Sequence, residues 1–269
     1  SRSRARSGHH HRGMNAVLNP RQSRARPGLP ITRRQLLLGG ASMLTALPTL
    51  GTIPPPRASR RRTGASPQLA EPWAGPLTPA QVLQTLKDGN ARWATAASVR
   101  PHQDAARRAE TTAGQHPLAT VFGCIDSRVP PELIFDLGLG DLFVVRTAGE
   151  ANDELIEGAS DYGSEEARTP LVLVLGHQCC GAVTAAVRTL NQRTTVPGRL
   201  QKIVNALTPA YHAAKDLPGD QIDNTVRQQI KLVATQLRRD PLLNNAGNGA
   251  QVLGAYYSLD TGTVDFTIA

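Results

Sequence analysis

The chain has 269 residues, 40% of them hydrophobic, enough for one large domain or two small ones with a true core. Its net charge of +9 is unevenly placed: residues 1–70 hold 13 arginines and no lysine or acid, which leaves 17 basic against 21 acidic residues in the remainder. A body with no basic excess and few aromatics excludes a nucleic-acid-binding role, and three cysteines are too few for a disulfide scaffold.

Residues 1–13 precede Met14 and include His9, His10 and His11, which read as a polar tail and not a metal tract. Then comes Thr32-Arg33-Arg34-Gln35-Leu36-Leu37-Leu38, followed by small and apolar residues to Leu47. Paired arginines ahead of a short apolar run resemble the twin-arginine export signal. The run is shorter than the ~20 apolar residues of a spanning helix, and Gly39, Gly40 and Pro48 weaken it as an anchor. Residues 51–76, rich in Pro and Arg, read as a linker. The resemblance implies a leader over 1–76, handed to the twin-arginine translocase through Arg33 and Arg34 with the body already folded. The expected destination is the periplasm, with the thylakoid lumen as the alternative, and no stable membrane span is expected.

A single domain is expected over 77–269. Thr78 can cap a helix whose first turn holds Pro79. Val82, Leu83, Leu86 and Trp93 keep helical spacing, with an interruption at Gly89-Asn90. Residues 102–112 read as a second, polar helix. Leu118 to Gly123 is an apolar run ending at Cys124, consistent with a buried strand. Pro130-Pro131 starts a helix over 132–137, and a strand follows over 142–146. A helix over 153–167 leads to the strand Leu171–Leu175, and Gly181 to Leu190 is the helix that leaves it. Two long helical stretches, 198–215 and 220–239, precede a strand over 251–257 and an edge strand over 263–268. Strands alternating with helices indicate a parallel sheet. The expected fold is α/β: a parallel core of about four strands, an antiparallel edge strand, helices on both faces and an N-terminal helical arm.

Two runs fall at the carboxyl ends of expected strands, where open α/β sheets place their sites: Val121-Phe-Gly-Cys124-Ile-Asp126-Ser-Arg128 and Leu175-Gly-His177-Gln-Cys179-Cys180-Gly181. Cys124, His177 and Cys180 offer two thiolates and one imidazole. That set leaves tetrahedral Zn²⁺ one ligand short, which is the pattern of a catalytic and not a structural site. Cys179 reads as a small buried side chain in preference to a third ligand or a redox switch. His116 and His212 read as structural or exposed.

Cys124-x-Asp126-x-Arg128 followed by His177-x-x-Cys180 resembles the motif of the β-class carbonic anhydrases. The likeness extends through Pro131-Glu132, Gly140-Asp141-Leu-Phe143, Arg146-Thr-Ala-Gly149 and Gly181-Ala-Val183, and covers nearly all of 77–269. It implies zinc on Cys124, His177 and Cys180, and reversible hydration of CO₂ to bicarbonate by zinc-bound hydroxide. It implies that Asp126 accepts a hydrogen bond from that hydroxide and that Arg128 holds Asp126. It further implies that Gln115 donates to the substrate from the other subunit of a homodimer or tetramer, with Phe143, Tyr162 and Gly181 lining the pocket. Thr147, Gln178 and Cys179 depart from the usual family residues. Val121 stands where some members have the Trp of an inhibitory bicarbonate site, so that regulation is not expected. The alternatives are a carbon disulfide or carbonyl sulfide hydrolase on the same scaffold and a non-catalytic zinc-binding scaffold protein.

Overall fold

The computed structural model describes residues 77–243 and 250–268. Arg33, Arg34 and the rest of the expected leader lie outside the described residues.

Helix α1 (Pro79–Ala94) starts where the sequence says it should. Thr78 accepts from the Gln81 amide, the Gln81 side chain accepts from the Thr78 amide, and Pro79 fills the first turn. The expected interruption at Gly89-Asn90 does not occur. Both residues are buried, and each is there for its contacts. A Cβ on Gly89 would stand 1.8 Å from the Phe135 carbonyl oxygen, so only glycine lets the two backbones meet. The Asn90 amide donates to the Ile134 and Gly262 carbonyls, and its oxygen accepts from the Val264 amide.

The second helix, α2 (Ala105–Glu110), is far shorter than expected. The arm around it is held by carboxylates. Asp136 is buried and accepts from Arg92 Nε at 2.6 Å and from the Val99 and Arg100 amides at 2.9 and 2.8 Å. Asp141, also buried, lies 2.8 Å from His102 Nδ1.

Strand β1 (Ala119–Cys124) leads to a single turn of helix, α3 (Pro131–Ile134), shorter than expected because Asp136 turns left-handed just beyond it. Strand β2 (Leu142–Thr147) runs into a 3₁₀ turn, Ala148–Glu150, that the sequence did not signal. Helix α4 (Glu154–Glu165) is capped by Asp153. Strand β3 (Leu171–His177) is buried at every position, and α5 (Gly181–Asn191) leaves it. Helices α6 (Leu200–Ala214) and α7 (Gln221–Leu237) come before β4 (Gln251–Tyr257) and β5 (Val264–Ile268).

The five strands lie in the order β2-β1-β3-β4-β5, parallel throughout except for the antiparallel β4–β5 edge. This is the expected fold. β1 and β3 are largely apolar and buried at every position because neighbouring strands and covering helices leave neither face to water. Helix α7 lies so close to β3 that a Cβ on Gly176 would meet Ile230 at 2.6 Å. The register pairs Gly123 with Leu175, so β1 and β3 deliver Cys124 and His177 side by side at the same end of the sheet. Among the described residues, no helix is long and apolar enough to cross a membrane.

Candidate metal centre

Cys124 is the last residue of β1, His177 the last of β3, and Cys180 the N-cap of α5. Their ligand atoms all lie within 4.8 Å of one another, and all three residues are buried. The two sulfurs are 3.8 Å apart. Two Zn–S bonds of about 2.3 Å at the tetrahedral angle span about 3.8 Å, so the sulfurs already stand at metal-ligand spacing. His177 Nδ1 donates to the Gln178 carbonyl at 2.9 Å, which leaves the lone pair on Nε2. Nε2 is buried and has no hydrogen-bond partner among the described residues. An orphaned imidazole nitrogen beside two buried sulfurs fits a thiophilic cation such as zinc.

The local electrostatics agree. Without metal, the Cys180 thiol draws the Cys124 thiol down to about 4, against burial, with help from the Gly149 and Asp126 amides. Cys180 is pushed up in return, first because it gives its hydrogen to Cys124 and then by burial. Both sulfurs become thiolates on a bound metal.

Asp126 is the neighbour of this set and not a member of it. Its Oδ2 lies 3.9 Å from His177 Nε2. Arg128 grips it twice, Nε to Oδ1 at 2.9 Å and Nη2 to Oδ2 at 2.7 Å, and the Arg128 amide adds a third bond at 3.0 Å. The Arg128 side chain holds the Asp126 carboxyl well below the usual carboxylate range, with burial opposing and the Arg128 amide assisting.

Several contributors left little trace in the sequence. Arg146 donates to the Cys124 carbonyl at 2.7 Å and the Asp126 carbonyl at 2.6 Å, clamping the loop after β1. The Gly149 amide reaches Cys124 Sγ at 3.4 Å. The Arg146-Thr-Ala-Gly149 run was the one signal for either. Glu150 follows in a left-handed backbone, fully buried, with both carboxyl oxygens unpartnered among the described residues. Burial first, and the charge of Cys124 second, push its carboxyl well above the usual range.

The remaining expectations divide. Cys179 is exposed, not buried: its φ of +54° turns the side chain out of the loop. Gly181 opens α5 and is exposed, with nothing near an added Cβ. Phe143 sits across from Thr120, toward the amino end of β1, and packs edge-on against Tyr162 at 5.9 Å. Gln115 is exposed and precedes β1 at that same end. One chain therefore does not bring Gln115, Phe143 or Tyr162 to the three ligands. His116 and His212 are exposed.

The fold and the three-ligand set define a zinc enzyme of the α/β class. Residues 119–264 match the family described as carbonic anhydrase. The carbonic anhydrase of Mycolicibacterium smegmatis is 37% identical over 190 residues, 70% of this chain and 92% of that protein. Carbonic anhydrase 2 of Mycobacterium tuberculosis is 36% identical over 187 residues, 68% of this chain and 90% of that one. In structure, a tetrameric β-carbonic anhydrase from Sordaria macrospora superposes with a TM-score of 0.54 at 19% identity, over 70% of this chain and 97% of its own. The chain belongs to the β-class carbonic anhydrase family, whose chemistry is the zinc-dependent hydration of CO₂.

Proposed function

We propose that CO₂ hydration in this chain is run by Cys124, His177 and Cys180 as zinc ligands, with Asp126 beside the remaining position and Arg128 governing Asp126. The supporting observation is the prearranged geometry: three donors within 4.8 Å of one another, two of them sulfurs at tetrahedral spacing, and a carboxylate 3.9 Å from the imidazole, tied back by a guanidinium. Bound there, zinc supplies a Lewis acid that makes water nucleophilic at a pH near ~7.

The protein groups do the rest. Asp126 is ionised and can only accept, so it takes a hydrogen bond from the attacking water and aims its lone pair at carbon. Arg128 keeps that carboxylate ionised and back from the metal. In a homodimer or tetramer, Gln115 of the partner subunit donates to a substrate oxygen. Phe143 and Tyr162 of the partner subunit, with Gly181 of this one, line a narrow, largely apolar pocket suited to a small uncharged gas. The catalytic domain is 77–269. Residues 1–76 are an export leader read by the twin-arginine translocase through Arg33 and Arg34, with the periplasm as destination.

The test is a stopped-flow CO₂ hydration assay on the zinc-loaded full chain. We expect turnover in the parent and a loss of about a hundredfold or more in Asp126→Asn, the scale on which misplacing a reacting group acts. Hydrolysis of carbonyl sulfide or carbon disulfide without CO₂ hydration would reassign the substrate. Zinc binding with no turnover would make the chain a scaffold.

A further inference from the structure

Arg128 is half exposed, and its side chain has two partners among the described residues. One is Asp126. The other is the Cys179 carbonyl, which accepts from Nη2 at 3.2 Å. The difference between them matters. Asp126 and Arg128 lie on the same loop, two residues apart, so an ion pair made of these two alone could slide toward the metal as one body. The Cys179 carbonyl belongs to the loop after β3, which carries the other two ligands, and it ties the guanidinium to that second strand.

That carbonyl faces Arg128 because Cys179 is left-handed, with φ +54°, whereas Cys180 beside it is extended. Cysteine has no preference for this conformation; glycine and asparagine do. Strain of this kind persists only where the surroundings enforce it. Here Gln178 is the enforcer. Its amide donates to the Tyr257 carbonyl at 2.9 Å. Its side chain donates to Asp260 at 2.6 Å and accepts from the Asp260 amide at 3.1 Å and Ser258 Oγ at 3.3 Å. The Cys179 thiol is exposed and makes no hydrogen bond among the described residues; Cys179 lines a cavity of about 680 Å³ with Gln178, Thr184, Arg227 and Tyr256.

We propose that Cys179 is a positioning residue for CO₂ hydration and acts through its backbone: its left-handed carbonyl is the far anchor of Arg128 and thereby keeps Asp126 off the metal. This rests on the reading of Arg128 as the restraint on Asp126. Released from the anchor, Asp126, whose Oδ2 lies 3.9 Å from His177 Nε2, is free to move to the position meant for water.

The experiment is a double-mutant cycle on the full zinc-loaded chain. Cys179→Gly, Cys179→Asn and Cys179→Val are each made with Arg128 intact and with Arg128→Ala. Zinc content, azide affinity, the zinc-edge X-ray absorption spectrum, kcat and KM are measured for each. Gly and Asn accept the left-handed backbone, so these variants should keep the parent's azide affinity and kcat. Val, branched at Cβ, rejects it. Cys179→Val should keep zinc, gain a carboxylate oxygen in the absorption spectrum, and lose about tenfold in azide affinity and kcat, the worth of one hydrogen bond from a charged donor. KM should barely move. In the Arg128→Ala background, Cys179→Val should add nothing.

A Val variant indistinguishable from the parent overturns the proposal. So does a Gly variant as damaged as Val, because the thiol would then be the active part. A Val effect that persists undiminished in Arg128→Ala, including loss of zinc in both backgrounds, places the fault in the ligand loop and overturns it too. Arg128→Ala with parental azide affinity would instead remove the underlying reading of Arg128.

Discussion

Each residue of the centre has one job, and the three cysteines separate cleanly. Cys124 and Cys180 are buried 3.8 Å apart, while Cys179 is exposed. Serine offers a harder, less acidic oxygen in place of sulfur, a poor substitute on zinc. Cys124→Ser and Cys180→Ser should therefore lose the metal after dialysis, and Cys179→Ser should retain about one zinc per chain by elemental analysis. Zinc retained by Cys180→Ser and lost by Cys179→Ser would reverse the assignment. The clustering of Cys124, His177 and Cys180 was legible in the sequence because side chains announce it: Cys, His and Cys at fixed spacing are rare by chance. The groups that orient them were not. The Gln178 and Cys179 carbonyls and the Gly149 amide are main-chain atoms that every residue possesses. Only the fold determines where they point.

At the scale of elements, strands and long helices followed their sequence periods, and errors gathered in short pieces. α2 and α3 are held by distant partners more than by their own sequences. Their local patterns therefore overstate how far they run. Gly89-Asn90 reads as a helix breaker, and tertiary contacts override it. The segment after α1 makes this testable. Burial alone would raise the Asp136 carboxyl, but Arg92 and the Val99 and Arg100 amides hold it below its ordinary 3.8. A depressed carboxyl stabilises the fold above its unfolded pKa, and that contribution fades as pH falls through the folded value. The arm should thus stay latched at neutral pH and loosen only below pH 3.8. Asp136→Asn should loosen it at pH 7, costing about 1–3 kcal/mol for weakened charged hydrogen bonds. Hydrogen exchange should quicken at the Val99 and Arg100 amides while α7 stays protected. Equal loosening of both would mean that Asp136 serves the whole core.

For the whole molecule, two expectations concern what lies beyond one described chain. Gln115 sits at the amino end of β1 and the ligands at its carboxyl end. If Gln115 of the partner subunit completes the pocket, activity should vanish on dilution to monomers. Concentration-dependent kcat alongside sedimentation velocity checks this, and a fully active monomer contradicts it. The leader predicts a change of compartment. Arg33→Lys with Arg34→Lys should leave folded, active enzyme in the cytoplasm, since Lys does not replace the planar guanidinium at recognition sites. Fractionation reads the outcome, and undiminished export of the double variant would discard the twin-arginine reading.

Cys124 and His177 are brought together by neighbouring parallel strands whose connection contains β2 and α4. Such pairings form late, because a long loop must close before any contact rewards it. Among the described residues, Cys124, His177 and Cys180 come together only once β1 and β3 have paired. Metal capture is therefore a terminal event in the life of the chain, and its timing sets a hazard. A chain that reached an oxidising compartment before closing that loop would offer three bare cysteines to disulfide chemistry. One that closed it first would arrive with two of them already buried. The order in which this protein folds and takes up metal is thus written into which strands lie side by side.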